Sequence, residues 1–81
     1  MVVTVSFYSW FKELTGCRQI TETLAEGETL ADLVQKLAVR FPNLSAMQRS
    51  MLMAVGVDYA DPKHALKDGD EVSLFPPVQG G

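Results

Sequence analysis

The sequence predicts an α+β domain, a mixed β-sheet covered on one face by one main helix. Three observations predict it. Two short runs, Val2–Tyr8 and Glu71–Phe75, alternate between apolar and polar residues, which is the period of a half-buried strand. A single amphipathic stretch, 30–41, carries the period of a helix. The 81 residues are enough for one small core and no more.

Each element follows from local chemistry. Strand one places Val3, Val5 and Phe7 on one side and Thr4, Ser6 and Tyr8 on the other. Trp10–Leu14 has apolar residues at 10, 11 and 14 and reads as a helix of a turn or two, ended by Gly16, which accepts the positive φ that follows a helix. Arg18–Leu24 sets Ile20 and Leu24 among Thr and Glu as a second strand, ended by the turn Glu26-Gly27-Glu28. Thr29 and Asp32 form the pattern of a capping box, and apolar residues recur at 30, 33, 34, 37, 38 and 41. This main helix stops at Phe41, because Pro42 disfavours helical geometry in the residue before it. Asn43–Arg49 reads as a link with a turn of helix from near Ser45, returning Leu44 and Met47 to the core.

The apolar run Met51–Val57 reads as one central strand, and Asp58–Pro62 as a turn. Leu66 anchors the link to the polar turn Lys67-Asp68-Gly69-Asp70. In the last strand, Glu71–Phe75, Val72 and Leu74 face one way and Glu71, Ser73 and Phe75 the other. Pro76-Pro77 forbids both helix and central strand, so residues 1–75 are expected to form the domain and 76–81 a flexible, extended tail ending in Gly-Gly. The order strand, short helix, strand, main helix, strands fits a β-grasp arrangement best.

Composition narrows the function. The chain is 47% hydrophobic and 21% charged, as folded domains are. Its net charge of −3 offers no excess of cations for phosphates or anionic lipid, so neither nucleic acid nor a membrane is an expected partner. The longest apolar run is far short of the ~20 residues that a spanning helix needs. Residues 1–6 carry no basic region of a signal peptide, and a cytoplasmic location is expected. The one Cys, Cys17, excludes an internal disulfide, and with the one His, His64, supplies no metal-ligand set. Cys17 fits a redox or sulfur-relay thiol less well than a small, partly buried hydrophobe beside a turn. His64 sits in a polar loop, and Asp68, Asp70 and Glu71 lack the spacing of a calcium loop. Met47, Met51 and Met53 fit core filler better than an adaptable surface.

The chemistry therefore points to the C-terminus. Phe75 and Tyr8 both fall on polar faces, and neighbouring strands would join them into an apolar patch at the root of the tail, a natural docking surface. Gly80 and Gly81 lack Cβ atoms and can thread a channel closed to other residues. Fully extended, Val78 to Gly81 would span roughly 13 Å at about 3.3 Å per residue. The reactive group they deliver is the carboxylate of Gly81, which becomes an electrophile only when its oxygen is turned into a leaving group. A terminal Gly-Gly taken alone also fits a fraying end.

Three segments carry a family resemblance: Phe7-Tyr8-Ser9-Trp10-Phe11-Lys12-Glu13-Leu14-Thr15-Gly16, Leu66-Lys67-Asp68-Gly69-Asp70-Glu71-Val72 and Phe75-Pro76-Pro77-Val78-Gln79-Gly80-Gly81. Over its whole length the chain resembles the small subunits of molybdopterin synthase, a branch of the ubiquitin-related β-grasp sulfur carriers. The resemblance implies that a ubiquitin-activating-like enzyme uses ATP to adenylate Gly81 and that a persulfide donor then leaves a thiocarboxylate. It further implies docking in the large synthase subunit, as a heterotetramer of two small and two large subunits, where sulfur passes to a pterin precursor to build the dithiolene. On this reading the chain is not catalytic alone and binds no cofactor. Gly81 carries the sulfur, Gly80 gives passage, and Tyr8, Phe75, Pro76, Pro77 and Val78 form the partner surface with Lys12 at its edge. Gly56 stands where the family commonly has Asn. Three other readings stay open: a sister carrier for thiamine synthesis or RNA thiolation, a ubiquitin-like protein modifier, and an interaction module whose Gly-Gly is incidental.

Overall fold

The computed structural model describes residues 1–77. Five strands form one mixed sheet: β1 (Val2–Phe7), β2 (Gln19–Thr23), β3 (Leu52–Val55), β4 (Asp58–Tyr59) and β5 (Glu71–Phe75), in the order β2-β1-β5-β3-β4. The central pair, β1 and β5, is parallel, and the other pairs are antiparallel. Helix α1 (Phe11–Thr15) follows β1, and α2 (Leu30–Arg40) crosses one face of the sheet. A parallel pair at the centre requires a long crossover, and α2 lies within that crossover. This is the β-grasp arrangement that the order of elements predicts.

The helix-side core has the composition that alternation predicts. Val3, Val5 and Phe7 of β1 and Val72 and Leu74 of β5 meet Leu30, Leu33 and Leu37 of α2, all at 2% exposure or less. Burying each such side chain contributes roughly 1.5–3 kcal/mol. The capping box is present: Thr29 Oγ1 accepts from the Asp32 N–H at 3.4 Å, and the shorter Asp side chain still accepts from the Thr29 N–H at 2.9 Å. Helix α1 ends as expected on Gly16, at φ 75.

Three readings need correction. Residues 51–57 are not one strand. β3 ends at Val55, Gly56-Val57 forms a two-residue turn, and Asp58-Tyr59 returns as β4 instead of forming part of a turn. Gly56 has φ 63 and Val57 is not among the residues with positive φ, the pattern of a type II′ hairpin turn. Val57, taken for a central strand, is therefore exposed. The link after α2 is a 3₁₀ helix over Pro42–Met47 that starts on Pro42 itself, because the first position of a helix needs no N–H. Its Leu44 is buried and its Met47 packs against the core, as predicted. Helix α1 starts at Phe11, with Trp10 as its cap.

Candidate functional site

Among the described residues, no helix covers the side of the sheet opposite α2. Strand period and register bring Val2, Thr4, Ser6 and Tyr8 to it from the first strand, Ser73 and Phe75 from β5, Leu52 and Ala54 from β3, and Tyr59 from β4. Its aromatic residues gather at one end, and the exposed Val2 lies at the other. Phe7 pairs with Leu74 across the parallel ladder, and the Tyr8 N–H donates to the Leu74 C=O at 3.1 Å, which sets Tyr8 beside Phe75. Their rings stack at 4.7 Å between centroids and 16° between planes. This is the patch expected from alternation, and the adjacency it required is observed.

Tyr8 stays on the sheet face because the chain reverses immediately after it. Ser9 takes φ 56, the left-handed region that a non-glycine residue seldom enters. The Phe11 N–H then donates to the Tyr8 C=O and the Lys12 N–H to the Ser9 C=O, each at 3.2 Å. Phe11 is thereby sent into the core while Tyr8 remains 45% exposed. Lys12 is exposed on α1 and lines a shallow depression with Ser6, Tyr8, Arg18 and Gln19, so it does stand at the edge of the patch. Pro76 and Pro77 are half-buried where the chain leaves β5. Val78, Gly80 and Gly81 lie outside the described residues.

Sequence reasoning missed Tyr59 and Arg18. Tyr59 lies 6.4 Å from Phe75, tilted by 60°, and is 74% exposed, so three aromatic rings form the patch instead of two. The available signal was the spacing Val55-Gly56-Val57-Asp58-Tyr59, a glycine-opened two-residue turn followed by a residue that returns to the same face as Ala54. Arg18 shares the depression with Lys12 and makes no ion pair among the described residues, whose two ion pairs are Lys36–Glu28 and Arg40–Glu22. Cys17 is partly buried and packs against the core, and His64 is exposed in a loop. Among the described residues no group of three His, Cys, Asp or Glu side chains is placed to hold a metal, and no helix is long and apolar enough to cross a membrane. The arrangement provides an exposed aromatic surface where the chain leaves β5, with Lys12 and Arg18 beside it.

Comparison with known proteins agrees with this fold. The molybdopterin synthase sulfur carrier subunit of Escherichia coli (strain K12) is 35% identical over 82 residues, which cover 99% of this chain and 100% of that one. SAMP1 from Haloferax volcanii has the same fold, with a TM-score of 0.88 at 24% identity over the whole of both chains. A chain of the complex of subunits 1 and 2 of the molybdopterin-converting factor from Helicobacter pylori superposes with a TM-score of 0.69 at 26% identity, again over the whole of both. The profile of the ThiS family matches residues 5–81, nearly the whole sequence. A protein with this match, this full-length relative and this sheet belongs to the ThiS family.

Proposed function

We propose that the chain is the sulfur-carrying small subunit of a molybdopterin synthase. The observation that carries the reading is the stacked Tyr8–Phe75 pair at the point where the Gly-Gly tail leaves the sheet, which couples a docking surface to a deliverable carboxylate. The full-length similarity to a carrier subunit of that enzyme supports it. In the proposed cycle, the Gly81 carboxylate attacks the α-phosphate of ATP on an activating enzyme, pyrophosphate leaves, and an acyl-adenylate forms. The terminal sulfur of a persulfide displaces AMP, and cleavage of the acyl disulfide by a thiol leaves the thiocarboxylate. That group is the better nucleophile, and its acyl product hydrolyses back to the free acid after sulfur has passed to the pterin precursor.

This chain's own contribution is binding and delivery. Tyr8, Phe75 and Tyr59 dock on the large subunit, Lys12 meets its polar rim, Pro76 and Pro77 stiffen the exit, and Gly80 and Gly81 enter the partner's site. The activating enzyme supplies ATP binding and the large subunit holds the pterin.

The test is to incubate the chain with an activating enzyme, ATP and a sulfur donor, then fragment its C-terminal peptide by mass spectrometry. Sulfur in place of oxygen at Gly81, formed only with ATP, is the expected result. Fragmentation is required, because oxidation of any of the four Met residues adds nearly the same mass. A plain carboxylate, with an enzyme active on its own carrier, overturns the reading. Gly81 joined instead to lysines of other proteins marks a modifier.

A further inference from the structure

Beside the aromatic patch, β3 runs beyond the end of β4, and its outer edge there is unpaired. The Gly56 N–H donates to the Glu71 C=O at 2.9 Å, so the residues two and four earlier, Ala54 and Leu52, also direct their backbone groups at β5. Met51 and Met53 direct theirs the other way. The Met53 C=O accepts from the Ala60 N–H at 3.0 Å, after which the chain turns off through Asp61-Pro62. The Met53 N–H and the Met51 C=O are left without a hydrogen bond among the described residues. Both belong to residues less than 10% exposed, where an unpaired backbone group is costly.

Met51 and Met53 line a groove together with Gln48, Arg49, Leu52, Tyr59 and Pro62. Its lining is mainly apolar and contains no carboxylate. Arg49 is its one charged group and has no ion-pair partner among the described residues, in a chain of net charge −3. Tyr59 belongs to both groove and patch, so the two surfaces are continuous.

We infer that the groove takes an extended segment of the partner that receives the tail, and that this segment carries a carboxylate to Arg49. The Met51 C=O and Met53 N–H flank Leu52, the spacing at which one extended residue donates to the first and accepts from the second. An apolar side chain of the segment lies against Met51, Met53 and Pro62. The chain's own tail is the poorer occupant, because folding it into the groove would hide Gly81, the group to be delivered. The inference rests on the carrier reading and adds a second contact, made by backbone and charge, to the aromatic one.

The experiment measures amide hydrogen exchange in the intact ¹⁵N-labelled chain, free and bound to the large subunit of molybdopterin synthase, with Thr21 on the far edge strand as reference. The affinity of Arg49→Glu is measured in parallel. The expected result is exchange at Met53 slowed about tenfold or more on binding with Thr21 unchanged, and about tenfold weaker binding by Arg49→Glu, largest at low salt. A complex that forms with Met53 exchange and Arg49→Glu affinity both unchanged overturns the groove and leaves the carrier reading standing. Failure of the chain to bind the large subunit, when the Gly81 thiocarboxylate also fails to form, overturns both. Met53 already protected in the free chain, and exposed by deletion of Gly80 and Gly81, places the tail in the groove and overturns the inference.

Discussion

The two faces of β5 are built from alternate residues of one strand and do different work. Val72 and Leu74 point under α2 and are wholly buried, while Ser73 and Phe75 look outward and are only partly covered. The same division runs through β1, where Phe7 is 2% exposed and Tyr8, the next residue, is 45% exposed. A period of two lets a chain this small keep its stability on one side and the proposed recognition surface on the other, without sharing side chains between them. The outward rings of Tyr8 and Phe75 rest on each other, and a stacked aromatic pair adds roughly 0.5–1.5 kcal/mol beyond area burial. The comparison teaches that folding and partner binding should be separable by neighbouring substitutions.

The largest effect falls on the covered face. Leu74→Ala opens a cavity between the sheet and α2 and is expected to cost about 2–5 kcal/mol of stability, read from urea unfolding of the free chain. Phe75→Ala, one residue on, should cost about 1 kcal/mol or less in the same experiment, because it loses the stack and little else. Its main effect should appear by calorimetry against the large subunit, as a loss of about 1–4 kcal/mol in binding, the range for an aromatic anchor. Equal destabilisation by the two variants would break the division between the faces. A folded Phe75→Ala chain with unchanged affinity would remove Phe75 from the docking surface.

Much of this division was legible before the structure. Alternation in Val2–Tyr8 and Glu71–Phe75 assigned each residue to its face, and the Thr29-Asp32 pair marked the start of α2, because strand period and capping are local properties. The patch was half legible: Tyr8 and Phe75 follow from alternation, but their contact needs the parallel pairing of the first and last strands, a non-local event. Tyr59 was hidden because an apolar run containing Gly reads as an uninterrupted strand, whereas the backbone uses that Gly to turn. The groove by Met53 was illegible, since it depends on where β4 stops relative to β3. Val78, Gly80 and Gly81 carry their meaning in sequence alone.

The smallest effect on binding sharpens the comparison at that hidden turn. Gly56 brings Tyr59 back to the open face, and it does so at φ 63. A Cβ built there meets no heavy atom within 4 Å, so Gly56→Ala introduces no clash and its cost is the backbone strain of an L-residue at positive φ. That cost is about 1 kcal/mol, expected as a lower urea midpoint with an unchanged m-value. Because β4 contributes to the patch but pairs through only two residues, the variant should lose partner affinity as well, by less than Phe75→Ala does. A stability loss with full affinity would mean that Tyr59 reaches the patch without this turn, and the aromatic surface would then rest on Tyr8 and Phe75 alone.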